Sequence, residues 1–283
     1  WLPVVTVGIL ILGGITVQLF IVAVNAFDWL KRRSITPVDQ IITFLGISRI
    51  LFHVVCLLAV LSHLVFDKNC TADLRVIFLV LNVFTGLASF LCSIWLSTLL
   101  SIFFCFKICT FHNVFFLRLK TIISHKVISL IFASVLLPFG YTVMYCLVVT
   151  HTLINNSGNY DLLLSNLDTQ LIHFFNILGN IFPVTMFFAS SVLLIISLGF
   201  HIRQMKTHRN ITSGTNTYYK IVMFTAMSCL TCVLYSIVYI SERYVRNVFG
   251  IVWMYVFWYV FPILHSLSLI YVTNKLRNQF FRI

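Results

Sequence analysis

Arg49 is the only charged residue between Gln40 and Ser62, in a stretch otherwise built of apolar and small polar residues. A guanidinium in such a run either reaches the membrane interface or faces the inside of a bundle, bonded to amides, hydroxyls and carbonyls. Both readings are open from the sequence. Asp39 lies ten residues away on one side, while Gln18 and Ser266 sit at matching depths in other apolar runs. With His265 beside Ser266, the candidate structural or switch set is Gln18, Arg49, His265 and Ser266.

Reactive chemistry is harder to assemble. All seven acids (Asp28, Asp39, Asp67, Asp73, Asp161, Asp168, Glu242) fall in loops or at the ends of apolar runs. No carboxylate pair, nucleophile–base arrangement, H-E-x-x-H or phosphate loop results. Cys229 and Cys232 form a C-x-x-C, but inside an apolar helix that spacing points to packing rather than redox or zinc chemistry. The expectation is a protein without catalytic residues, metal or cofactor: not an enzyme. Pumps and coupled transporters place carboxylates within their spans, so a small-solute transporter is an alternative with little support.

Binding chemistry is better represented. In the stretch from Asn82 to Phe111, the small and hydroxyl residues Thr85, Gly86, Ser89, Ser93, Ser97, Thr98 and Ser101 recur at spacings of three and four. That stripe lets helices approach closely and bond across. Aromatics and amides gather at similar depth in the later runs. An apolar, aromatic-walled cavity with a few polar groups is the usual form of a small-molecule site. The candidate lining is Leu87, Phe90, Leu91, Asn176, Gly179, Tyr235, Tyr239, Tyr255, Trp258 and Tyr259. A lipid-facing aromatic belt is the competing reading for any one of them.

The elements that position these groups follow from hydropathy. The chain has 283 residues, 60% hydrophobic and 9% charged, where a soluble domain carries about a quarter charged. The expected fold is an all-α membrane protein, a seven-transmembrane-helix bundle in one domain over residues 1–283. The spans are about 2–26, 40–62, 76–106, 127–150, 172–202, 221–241 and 249–273. Of the 19 Lys and Arg, 14 fall in alternate connections, beginning with Lys31, Arg32 and Arg33. The positive-inside rule then puts the N-terminus outside and the C-terminus in the cytoplasm, at the plasma membrane. The net charge of +12 reads as this asymmetry, with lipid headgroups as partners and no nucleic acid. The tripeptides at Asn69 and Asn155 fall in outer loops and are candidate glycosylation sites, whereas Asn210 falls inside. The sequence begins at Trp1 and shows no cleavable signal peptide, so the native N-terminus is expected upstream.

Four segments carry a family resemblance. VNAFDWLKRRSITPVDQIITFLGISRI (Val24 to Ile50) has the Asn, the acidic–Trp pair, the basic residues and the Ser-Arg of the bitter taste receptors. SIFFCFKICTF followed by FFLRLK, LLIISLGFHIRQMK (Leu193 to Lys206) and FPILHSLSLIYVTNKLRNQF (Phe261 to Phe280) are similar to that family's third-, fifth- and seventh-helix motifs. The resemblance implies a G-protein-coupled receptor that takes small, largely apolar bitter agonists from outside. Inside it implies a heterotrimeric G protein, gustducin-like or of the inhibitory class, with Phe104, Lys107, His201, Met205 and Lys220 facing it. The chain departs from the family at Gln18, Phe104, Gly86 and Tyr255. Gln18 replaces an asparagine and is expected to bond Arg49 through its amide, and Gly86 is expected to leave a gap in the pocket wall. A type-1 vomeronasal-like pheromone receptor shares the architecture and is the nearest alternative.

Overall fold

A computed structural model describes residues 2–31, 36–65, 72–108, 114–155, 169–207, 212–240 and 251–282. Among these the regular structure is all helical: α1 (Leu2–Leu30), α2 (Pro37–Val65), α3 (Ala72–Ile108), α4 (Val114–His125), α5 (Val127–Asn155), α6 (Thr169–Thr207), α7 (Thr212–Ile240), α8 (Ile251–Val272) and α9 (Asn274–Phe280). The seven apolar runs correspond to α1, α2, α3, α5, α6, α7 and α8. Most extend a few residues beyond the hydrophobic stretch, because a helix continues past the hydrocarbon while its backbone bonds are met. The short helices α4 and α9 carry mixed apolar and basic residues and have no counterpart in the hydropathy reading.

Helices are what lipid demands. With no water in the hydrocarbon, each backbone N–H and C=O must be bonded within its own segment. Five described segments are long and apolar enough to cross a membrane: Val5–Leu30, Pro37–Leu61, Val80–Ile108, Val127–Val148 and Leu178–Phe200. Shorter apolar stretches, Tyr219–Leu234 and Trp258–Val272, lie within α7 and α8. Leu136 and Ile9 are 64% and 65% exposed, as lipid-facing side chains are expected to be.

The helices close into a ring. α1 packs on α2, α2 on α3, α3 on α6, α6 on α7, α7 on α8, and α8 returns to α1, while α5 rests on α3. α3 therefore touches α2, α5 and α6 and runs through the centre. One apolar core, including Ile41, Leu45, Leu96, Leu100, Phe224 and Leu269, fills the half nearer Lys107, here termed the basic end. A smaller cluster of Val7, Ile11, Phe52 and Tyr259 fills the other half between α1, α2 and α8.

Local sequence fixes the start of α2. Thr36 Oγ1 accepts from the Asp39 N–H at 3.2 Å, and Asp39 Oδ2 accepts from the Thr36 N–H at 3.2 Å, a reciprocal capping box with Pro37 at the first helical position. The same turn is tied to the chain's far end. Lys275 on α9 donates to Asn25 Oδ1 at 2.8 Å and pairs with Asp28 at 2.9 Å and Asp39 at 3.7 Å. Phe280 meets Phe20 edge-on at 5.6 Å, and Leu276 is buried, so α9 is anchored across the basic end of α1.

Prolines interrupt α5, α6 and α8 at Pro138, Pro183 and Pro262. Each removes one backbone donor and strains its helix. The carbonyl of each accepts a side-chain donor: Thr142 at 2.8 Å, Thr98 at 2.9 Å and Arg49 at 3.4 Å respectively. Two of these three bonds run between helices, so the helical irregularities become points of attachment.

Candidate functional site

Between α2, α3, α6, α7 and α8 lies a cavity of about 210 Å³. Its walls are apolar: Phe52, Phe90, Ile181, Phe187, Trp258 and Phe261. The Phe90 and Trp258 rings lie nearly parallel, 13° apart, with centroids separated by 6.4 Å. Arg49, Ser93, Ser97, Ser228 and His265 provide polar groups on the side toward the basic end. A second void of about 10 Å³ adjoins it and shares Ser97, Phe187, Ser228 and His265 with the first. That is room for one water at most.

Arg49 is 5% exposed and faces the bundle. Its Nε donates to Ser93 Oγ at 3.1 Å and its Nη2 to Ser97 Oγ at 3.3 Å, both on α3. Its Nη1 reaches α8 at three points: Ser266 Oγ at 2.6 Å, His265 Nδ1 at 3.2 Å and the Pro262 carbonyl at 3.4 Å. Snorkelling to an interface is thereby replaced by a bridge between α2, α3 and α8. A guanidinium has donors only, so Nδ1 of His265 accepts and the imidazole proton sits on Nε2. Gln18 does not bond Arg49. Its Nε2 donates instead to Ser266 Oγ at 2.5 Å, so the two side chains share one acceptor. The Gln18 amide thus reaches Arg49 only through the Ser266 hydroxyl that both of them bond.

The other expected residues divide by helix face. Phe90 and Trp258 line the cavity, and Leu87, Leu91, Gly179 and Tyr259 are not among its lining residues. Leu91 is fully buried in helix packing. Gly179 faces α5, where a Cβ would stand 2.7 Å from the Tyr141 ring. Tyr259 is 2% exposed and turns toward α2, with ring centroids 6.3 Å from Phe52 and 5.8 Å from His53. Gly86 also faces α2, at Val55, rather than opening the cavity. The side chains of Asn176, Tyr235, Tyr239 and Tyr255 lie outside the described set. Neighbours on one helix point about 100° apart, so a shift of one residue moves a side chain off the cavity.

The sequence reading did not select Ser228, Thr231, Cys232 or Ser236, which form the α7 wall. Their spacing of three, one and four residues is a small polar stripe, the signal that would have revealed that face. The hydroxyl stripe of α3 serves two purposes. Ser93, Ser97 and Thr98 line the cavity, while Thr98 also joins Ser101 in sealing α3 to α6, with Ser101 2.8 Å from Ser190 and 2.9 Å from Ser191.

At the basic end, Phe104 is half-buried and meets Phe224 edge-on at 6.1 Å. Lys107 is exposed at the end of α3, and Lys220 lies over the Tyr271 ring at 5.8 Å. The side chains of His201 and Met205 lie outside the described set, as does that of Asn155, the last residue of α5; Asn69 is outside the described residues altogether. Among the described residues no group of three His, Cys, Asp or Glu is placed to hold a metal. The described lining residues offer hydrogen bonds and apolar contact.

Sequence comparison finds relatives along most of the chain. Residues 2–283 match the family model described as Taste receptor protein (TAS2R). The chain is similar to Taste receptor type 2 member 46 of Macaca mulatta, 29% identical over 98% of this chain and 91% of that protein. It is 33% identical to Putative taste receptor type 2 member 36 of Homo sapiens, over 76% and 70% of the two chains. With Taste receptor type 2 member 120 of Rattus norvegicus it is 31% identical over 98% and 95%.

Proposed function

The chain belongs to the taste receptor (TAS2R) family, the G-protein-coupled receptors of bitter taste, and from that premise we propose how this member works. A small, largely apolar agonist enters the 210 Å³ cavity from outside and binds the arrangement of helices that favours signalling. The N-terminus is outside and the C-terminus cytoplasmic, in the plasma membrane. The basic end then receives the C-terminal helix of a G-protein α subunit, gustducin-like or of the inhibitory class, in a groove between helix ends. Phe104, Lys107, His201, Met205 and Lys220 are its contacts. Exposed basic residues of the same rim meet anionic lipid heads. Asn155 and Asn69 carry glycans on the outer side.

The observation that carries this reading is the cavity itself, apolar-walled, lined by five helices and floored by a buried cation. A cavity lined by five helices is selective by shape, and its walls are the helices whose shift exposes the opposite end. Ligand binding need only differ between two arrangements to move the equilibrium.

The test is agonist-dependent GTP loading of a purified inhibitory-class heterotrimer by the chain in lipid nanodiscs. A broad panel of bitter compounds is expected to contain at least one that accelerates loading. No acceleration by any of them, with labelled solute crossing vesicle membranes instead, would overturn the receptor mechanism in favour of transport.

A further inference from the structure

We propose that the cavity selects acidic amphiphiles, small aromatic molecules ending in a carboxylate or similar anion, and that Arg49 seats the anion. The proposal rests on the chemosensory reading above and adds the ligand class to it.

Several of the polar groups lining the cavity toward the basic end can donate into it. Arg49 carries five N–H groups and no acceptor. Its described partners are the Ser93, Ser97 and Ser266 hydroxyls, the Pro262 carbonyl and Nδ1 of His265, all neutral. None of the described lining residues is Asp or Glu. His265 adds a second donor, because its Nδ1 accepts from Arg49 and its proton is therefore on Nε2. Ser228 adds a third. Its hydroxyl is 4% exposed, lines the cavity and has no hydrogen-bond partner among the described residues.

A positive charge surrounded by neutral groups and removed from water attracts an anion far more than a neutral acceptor. Charge-assisted hydrogen bonds to a carboxylate are also about twice as strong as neutral ones, and the planar guanidinium matches a carboxylate's two oxygens. An ammonium ligand would meet the same charge as repulsion. Three of the neutral partners of Arg49, Ser93, Ser97 and Ser266, are hydroxyls on flexible rotors, so one can yield its N–H to a ligand without a helix moving.

The shape agrees with a head and a tail. Along α3, Phe90 comes one turn before Ser93 and two before Ser97; along α8, Trp258 comes one turn before Pro262 and two before His265. Aromatic walls thus lie on one side of the cavity and donors on the other. An aromatic body against Phe90 and Trp258 places its anionic end at Arg49.

The experiment measures saturable binding to the full chain in nanodiscs at neutral pH, with empty nanodiscs subtracted. The probes are benzoate, 2-naphthoate and biphenyl-4-carboxylate, each against its own primary amide. The fitting carboxylate is expected to bind at least about tenfold tighter than its amide. Ser228→Ala should weaken that carboxylate about threefold and leave the amide unchanged, and Arg49→Gln should abolish the preference. If Arg49→Gln does not fold, the wild-type ranking and Ser228→Ala decide. Amides binding as tightly as carboxylates, or no saturable carboxylate binding, overturns the acid site. If neutral bitter compounds still drive GTP loading in the same preparation, the receptor reading stands without it; if they too are silent, both fall.

Discussion

The guanidinium of Arg49 on α2 lies 2.6 Å from the hydroxyl of Ser266 on α8, and Gln18 of α1 donates to the same oxygen from 2.5 Å. One serine oxygen thus joins the first two helices to one more than two hundred residues away. Ser266→Ala leaves the Gln18 amide and one guanidinium N–H without this acceptor. A buried donor without a partner costs about 1–3 kcal/mol, and interhelical bonds in lipid average nearer the lower figure. The expected outcome is a fall in thermal stability of the purified protein equivalent to about 1 kcal/mol. Arg49→Ala, which also deprives Ser93 and Ser97, should lose surface expression. Normal expression and agonist response in Arg49→Ala would show that the bridge is dispensable.

Gly14 and His53 make a second interhelical contact, and it is steric. A Cβ at position 14 would overlap the His53 imidazole at Nε2, and that ring is fully buried. Gly14→Ala must therefore displace the imidazole, and overpacking of a closed core costs about 1–3 kcal/mol. His53→Ala removes the obstructing ring. The Gly14→Ala/His53→Ala double variant is expected to be more stable than the sum of the two single losses. Thermal unfolding of all four proteins gives the coupling; strict additivity would show that the helices separate at no cost.

Arg49 was legible from sequence because an unpaired charge in lipid is expensive enough to demand a purpose. The all-helical class was legible for the same reason, since twenty apolar residues in lipid have one backbone solution, whereas the short mixed helices α4 and α9 left no mark in hydropathy. Rotation of each helix about its axis was not. Spans apolar all round give no inward face, so Leu87, Leu91 and Tyr259 were grouped with Phe90 and Trp258 by depth alone. The structure separates them by direction, with Tyr259 on the α2 side. The polar stripes of α3 and α7 carried the missing phase. The α3 stripe reads as packing and the α7 stripe is not singled out, because packing and cavity lining need the same small hydroxyl residues.

That directional difference predicts different phenotypes for neighbouring residues of α8. Trp258 lines the cavity; Tyr259 packs in the cluster with Val7, Ile11 and Phe52. Trp258→Ala is expected to raise the agonist concentration for half-maximal response at least about tenfold, with modest loss of stability. Tyr259→Ala empties a closed site and should cost about 3 kcal/mol of stability. Once normalised to folded receptor at the surface, its agonist sensitivity should stay within about threefold of wild type. Unchanged agonist sensitivity in Trp258→Ala would count against the cavity as the ligand site.

The cavity and the basic end are joined by packed side chains. His265 touches Arg49 at 3.2 Å and meets the Phe224 ring at 5.6 Å, and Phe224 meets Phe104 at 6.1 Å, one turn before Lys107. Phe224 belongs to α7 and Phe104 to α3, so relative movement of these helices must break or slide this contact. Spatial continuity alone does not establish coupling. The discriminating variant is Phe224→Ala, assayed separately for binding and for exchange. Ligand affinity in nanodiscs is expected to change by less than about threefold, while agonist-driven GTP loading falls about tenfold, and Phe224→Leu should recover part of it. If binding and loading fall together, Phe224 is core alone. A relay residue must act on the second quantity and leave the first nearly intact, because it packs toward the basic end and does not line the main cavity.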